Sequence, residues 1–376
     1  MTHELWASRA VRAYAAMRRH FLRRDGLYRR DGSLRLARVA GHLWPTARAL
    51  AAAVDLLGIR RDRLTGLDVE AAVVAHLDAL EHYWDAAGAP PAYASDVIGS
   101  RLGGDRYYDD NAWVGLALVQ LERLRPDGGW LERADRLFRF AASGWDARPD
   151  APSPGGVFWV EQGTGTGTRN HDRNTVSNAP NAELGLHLAE LTPGSREASR
   201  YARAHDMYAW VNVSLDAGRV AGEPGTGLFW DKLRGDGTID RTLWTYNQGS
   251  MIGANVLRAR APGPGDAGDG YLARAEAIAD KALRHYGGDY DRQPPAFNAI
   301  LFRNLLLLSA ATSDPALRKR IRDAMRTYAD AAWTIARDPH DRFRFARGPA
   351  TLLDQSGMVQ LFALLAWDPE DYAKLA

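Results

Sequence analysis

Residues 107–128 read Tyr107-Tyr108-Asp109-Asp110-Asn111-Ala112-Trp113-Val114-Gly115-Leu116-Ala117-Leu118-Val119-Gln120-Leu121-Glu122-Arg123-Leu124-Arg125-Pro126-Asp127-Gly128. Apolar residues recur at i, i+3, i+4 and i+7, which predicts a helix over 109–125. The segment is entered from a long stretch rich in glycine and aromatics. It is left through the short turn Arg125-Pro126-Asp127-Gly128. The same asymmetry recurs along the chain. Helical periodicity marks twelve segments, at 4–24, 40–57, 66–88, 109–125, 129–143, 178–191, 195–216, 244–260, 267–287, 295–312, 315–336 and 351–367.

Links after the even segments are short, as at Thr192-Pro193-Gly194, and most links after odd segments are long. Four long links, at 25–32, 155–159, 227–237 and 341–345, alternate apolar residues near Gly or Asp-Gly turns and read as short β-hairpins. Alternating long and short links place the long loops at one end of a helical bundle, where sites are built on a rigid scaffold. The expected fold is all-α, an (α/α)6 barrel with short β-hairpins in the loops of one face. Even helices form its inner ring, and residues 1–376 form a single domain. An irregular α-solenoid and two separate bundles are the competing architectures. Ala261 to Gly270 is Gly/Pro-rich and fits a surface turn rather than a linker.

Composition narrows the chemistry. The chain has 376 residues, 46% hydrophobic and 25% charged, with a net charge of +2 and its basic residues scattered. No basic block suggests a nucleic-acid partner, and no apolar run suggests a membrane one. There are no cysteines, so thiolate catalysis and disulfides are excluded. The histidines, among them His42, His171, His187, His205, His285 and His340, show no zinc-binding spacing, so neither metal nor cofactor is expected. Gly163-Thr164-Gly165-Thr166-Gly167 lacks the lysine and context of a phosphate loop. The N-terminus carries no signal-peptide pattern, so the chain as it stands reads as cytoplasmic, or as secreted if a leader was removed.

Even helices begin with polar or aromatic residues: His42 and Trp44, Asp109 and Asp110, Asn178 and Asn181, Trp244 to Gln248, Asn298, and Asp354 with Gln355. Asp109 and Asp110 lie about 100° apart on a helix, yet at a helix start both can lean toward one opening. Two close carboxylates resist double ionisation, leaving one as base or nucleophile and one as acid. The bland reading is an N-cap Asp followed by a dipole-stabilised Asp. Twelve Trp and fourteen Tyr, several in loop-like segments, favour a sugar cleft. Trp244-Thr245-Tyr246-Asn247-Gln248-Gly249 alternates aromatics with amides able to bind hydroxyls, before a glycine permitting close approach. Phe158-Trp159, ahead of Asn174 to Asn181, is a third candidate, its asparagines equally readable as turn formers and caps. Asp231, Asp236 and Asp240 sit in a turn-rich loop and read first as turn residues.

Tyr108-Asp109-Asp110 with Trp113, Gly156-Val157-Phe158-Trp159, Ser177-Asn178 and Trp244 to Gly249 resemble glycoside hydrolase family 76, the α-1,6-mannanase family. The resemblance runs from about Trp44 to Gln360. It implies an (α/α)6 barrel and a retaining α-glycoside hydrolase cleaving α-1,6-linked mannosides, with a carbohydrate as its partner. It also implies Asp109 as nucleophile and Asp110 as general acid/base, with Trp44, Tyr108, Trp113, Phe158, Trp159, Asn178, Trp230, Trp244, Tyr246, Asn247 and Gln248 as substrate-binding residues. Trp113 is followed by Val114 and Gly115, where the family often has a second tryptophan. The alternatives are another α/α-toroid sugar enzyme, such as a sugar 2-epimerase built on two cleft histidines, and a non-catalytic glycan-binding protein.

Overall fold

The fold is taken from a computed structural model, which describes residues 2–32, 39–100, 104–126, 128–192, 201–218, 227–261 and 268–376. Twelve α-helices lie among the described residues: α1 (His3–Phe21), α2 (Leu43–Leu57), α3 (Val69–Glu81), α4 (Tyr108–Leu124), α5 (Trp130–Ser143), α6 (Thr175–Leu191), α7 (Ala202–Ser214), α8 (Thr245–Arg260), α9 (Gly268–Tyr286), α10 (Pro295–Ala311), α11 (Pro315–Ile335) and α12 (Leu352–Ala366). Ten of the expected helices differ by three residues or fewer at each end, and 195–216 ends within two residues of Ser214. The segment 66–88 ends early, at Glu81. Beyond it Trp84–Asp85 (β1) and Ala92–Tyr93 (β2) pair antiparallel, a hairpin that the sequence reading missed. The start of the 195–216 segment, Pro193-Gly194 and most of Ala261 to Gly270 lie outside the described residues.

The even helices pack in a closed ring: α2 on α4, α4 on α6, α6 on α8, α8 on α10, α10 on α12, and α12 back on α2. The odd helices lie outside, α3, α5, α7, α9 and α11 each against the helix before it, and α1 against α12. Burial follows from this layering. Within α2 every residue except Trp44 is buried, as expected of a helix with neighbours on all sides. In α5 burial is confined to one stripe, Ala134, Asp135, Leu137, Phe138, Phe140 and Ala141. Glycines let the inner helices approach: a Cβ on Gly249 would stand 2.8 Å from Leu301 Cα and 2.9 Å from Ile300 O.

The loops pair both within themselves and with one another. Arg173–Asn174 (β3), Lys232–Leu233 (β4) and Ile239–Asp240 (β5) form a three-stranded antiparallel sheet, with Asn174 opposite Lys232 and Lys232 opposite Asp240. Of the four expected hairpins, 227–237 supplies β4 and the turn into β5, closed by Arg234 N–H to Thr238 O at 2.8 Å. The 155–159 stretch instead bridges outward, Val157 to Trp145 and Phe158 to Arg173. At 25–32 Tyr28 bridges Leu22 and Asp31 bridges Thr351, and at 341–345 Phe343 bridges Arg337. Among the described residues no helix is long and apolar enough to cross a membrane.

Candidate active site

A cleft of about 1000 Å³ opens where the inner helices begin. Every inner helix contributes a first-turn or capping residue to it: Trp44, Asp109 with Asp110, Val176, Tyr246, Phe297 and Leu353. All but Asp110 and Phe297 are the second residue of their helix, so one helical phase points into the opening. Six helix N-termini thus converge, and their partial positive charge favours carboxylates there.

The fourth residue of each inner helix has a different task. Asn111 Oδ1 accepts from Tyr93 N–H at 2.8 Å, and its Nδ2 donates to Tyr93 O at 3.0 Å. Asn178 does the same to Val157, at 2.7 and 3.1 Å. Gln248 holds Phe229 at 2.8 and 3.0 Å. Gln355 accepts from Phe343 N–H at 3.1 Å, and Asn298 donates to Tyr290 O at 2.7 Å. These amides help satisfy the buried backbone of the preceding loop.

Asp109 and Asp110 are part-buried and line the cleft. Tyr108 N–H bonds Trp159 O at 3.1 Å, pinning the start of α4 to the 155–160 loop. Trp159 packs at a tilt against Tyr107 with ring centroids 4.8 Å apart. Its indole Nε1–H donates to Asp109 Oδ2 at 3.2 Å, while Asp109 Oδ1 is buried with no hydrogen-bond partner. Burial raises the pKa of both carboxyls. At Asp109 the Trp159 bond and the helix-start amides oppose the rise. At Asp110 nothing opposes it, and the charges of Asp109 and Asp96 add to it. The two carboxyls are thus set unequally: Asp109 is hydrogen-bonded to Trp159, and Asp110 stands beside the charges of Asp109 and Asp96.

Three further acids line the opening, Asp96, Asp105 and Asp231. Asp231, beside β4, has Oδ1 buried and unpartnered, and burial raises its pKa to about 6 despite Lys232, Asn247 and Tyr246 nearby. Asp96 is buried and holds His42 Nδ1 at 2.9 Å. Aromatic rings form the wall: Trp44 lies 5.6 Å from Trp113 and 6.5 Å from Phe297, and Phe297 lies 4.1 Å from Tyr246.

Of the residues singled out from sequence, Asp109, Asp110, Trp44, Trp113, Trp159 and Tyr246 line this cleft. The others support it from behind. Tyr108 is buried on Phe140 at 4.6 Å. Phe158 and Trp230 are buried in the loop layer. Trp244 packs edge-on against Phe297 at 5.5 Å. Asn178 and Gln248 are loop clamps, and Asn247 is buried beside Asp231. Gly249 serves helix approach, not ligand approach. Val114 is fully buried and lines no part of the cleft, so an aromatic there would meet core rather than sugar. Sequence reading overlooked Asp96 and Phe297, left Tyr107 and His42 out of the site, and took Asp231 for a turn residue. Aligning the inner helices by the clamp at position four would have exposed Phe297, one residue before Asn298. Among the described residues no group of three His, Asp or Glu is placed to hold a metal.

Known structures share this architecture. The chain is 20% identical to the mannosidase Bt3792 from Bacteroides thetaiotaomicron, with a TM-score of 0.78 over 96% of this chain and 98% of that one. It is 22% identical to the GH76A α-1,6-mannanase from Salegentibacter sp. HEL1_6, with a TM-score of 0.72 over 96% and 99%. An inactive variant of that mannanase, with Asp→Asn changes at two consecutive positions, is solved with α-1,6-mannotriose at the same identity, score and coverage. No curated protein matches the chain. The family model described as glycosyl hydrolase family 76 matches residues 6–366, so the chain belongs to that family and is a glycoside hydrolase.

Proposed function

We propose that the enzyme is a retaining α-mannanase, cleaving α-1,6-linked mannosides with Asp109 as nucleophile and Asp110 as acid/base. The observation that carries this reading is the unequal setting of two adjacent carboxylates at the start of α4. Asp109 is hydrogen-bonded to Trp159, while Asp110 is left to burial and like charge. The paired Asp changes in the inactive mannanase bound to mannotriose support it.

In the first step an Asp109 oxygen bonds the anomeric carbon as the bond to the leaving oxygen breaks, and Asp110 gives that oxygen its proton. In the second, Asp110 takes a proton from water, whose oxygen bonds the anomeric carbon as the ester to Asp109 breaks. Two inversions leave the configuration unchanged. Trp44 and Trp159, with Phe297, offer ring faces to the sugar, Trp113 and Tyr246 back them at the cleft floor, and Asp231 accepts its hydroxyls. Buried polar atoms without partners, such as Asp109 Oδ1 and Asp231 Oδ1, are the places where a ligand or water completes the hydrogen bonding.

The test is hydrolysis of α-1,6-mannan by wild type, Asp109→Asn and Asp110→Asn, with the first-formed anomer followed by proton NMR. The expected result is α-anomer first and a loss of at least ~10³-fold in kcat for either variant. Full activity in both variants, or β-anomer first, overturns the reading.

A further inference from the structure

Beneath the cleft the barrel axis is polar. Arg48 of α2 is only 3% exposed. Its guanidinium carbon stands 5.5 Å from the ring centroid of Trp44 and 5.5 Å from that of Trp113. Both indoles line the cleft. The guanidinium is anchored from the core side, where Nη2 donates to Gln360 Oε1 at 2.6 Å. Gln360 Nε2 in turn donates to Asp55 Oδ2 at 2.9 Å. Asp55 is also paired with Arg303, whose Nη1 donates to Gln120 Oε1 at 3.0 Å. The chain of bonds thus ties α2, α12, α10 and α4 together across the axis. Arg48 Nε has no hydrogen-bond partner, so Gln360 and the two indoles are what orient the fork.

Burying a cation is costly, and an apolar side chain of similar volume could fill this space. A flat cation against two rings does something methionine cannot: it holds both by their π-faces. A sugar ring stacks only on an aromatic surface that is already in place, because ordering the ring on binding subtracts from affinity.

We propose that Arg48 is the positioning residue of the sugar platform: anchored through Gln360, its guanidinium fixes Trp44 and the buried Trp113 beside it from behind, so that Trp44 stands ready for substrate in the cleft. This rests on the reading of the cleft as a mannoside site. The platform acts in binding rather than in bond cleavage, so its loss falls on KM.

The experiment compares wild type with Arg48→Met, Arg48→Lys and Gln360→Leu in the full chain. KM for an α-1,6-manno-oligosaccharide should rise ~10-fold in Arg48→Met, with kcat within about 2-fold. Gln360→Leu should move KM the same way by less, and Arg48→Lys should restore only part of the loss, since a point charge does not lie flat on both rings. Fluorotryptophan NMR, with resonances assigned through Trp44→Phe and Trp113→Phe, should show those two signals shifted or broadened in Arg48→Met without any ligand. A lowered Tm with unchanged KM and unchanged tryptophan signals overturns the proposal. If Arg48→Met does not fold, the same readouts on Gln360→Leu decide. Should the wild type neither bind nor cleave α-mannosides, the substrate reading alone fails, and the ligand-free tryptophan signals still settle the role of Arg48.

Discussion

Asp109 and Asp110 share a helix turn and differ in what surrounds them, which in the proposed mechanism lets one residue type supply two chemical roles. Trp159 is the visible agent of that difference, because its hydrogen bond favours ionised Asp109. Replacing it with phenylalanine removes the donor and lets the Asp109 pKa rise further. The acidic limb of the kcat/KM profile should then move to higher pH, with a loss of roughly 10-fold at the optimum. A pH series on Trp159→Phe checks this, and an unmoved limb would assign the limb to another group. Asp231 allows a stability test with a defined sign. Its folded pKa of about 6 lies above the unfolded carboxylate value, near ~3.9. Its contribution to stability is complete below the unfolded pKa and is lost as pH rises through the folded one. Asp231→Asn should therefore stabilise the protein at pH 7 by ~1–2 kcal/mol, the gain vanishing below about pH 4. Denaturant midpoints at the two pH values measure it, and activity should fall in the same variant.

At the scale of the element, the start of each inner helix follows one plan. The second residue of five, and the third of α10, enters the cleft, and the fourth is a polar side chain, an amide in all but α2. The sequence announced these starts, since polar and aromatic residues cluster there at intervals of about sixty residues. It did not say which of them face the opening. Asn178 and Gln248 looked like hydroxyl binders because an amide that binds sugar and an amide that clamps a loop are chemically the same group. Their partners, Val157 and Phe229, are 21 and 19 residues away in sequence. Gln248→Leu should leave Phe229 N–H and C=O buried without partners and lower stability by ~1–3 kcal/mol. Urea unfolding measures it, and the mannoside affinity of folded protein should change far less than in a variant of a cleft residue. Gly249→Ala should be as harmful, because backbone rather than a movable side chain blocks the added methyl.

The whole molecule is a ring whose centre is held by charge. Asp55 and Arg303 form an ion pair, both buried, between α2 and α10, with Gln360 and Gln120 completing their bonds. Removing one partner strands the other. Asp55→Asn should cost ~3–5 kcal/mol, and the double change Asp55→Leu with Arg303→Met less than Asp55→Asn alone. Thermal unfolding of wild type and the two variants measures this, and a double variant less stable than Asp55→Asn would overturn it.

The sequence by itself determined the helices, the alternation of long and short links, and the acidic pair at the start of α4. Each of these is local: helical period, turn residues and neighbours in the chain are sufficient to specify them. Only the tertiary structure decided which aromatics form the wall, that Phe297, Asp96 and Asp231 join it, and that Trp159 biases Asp109. These depend on groups brought together from far along the chain, and periodicity fixes the face of a helix without naming what that face will meet.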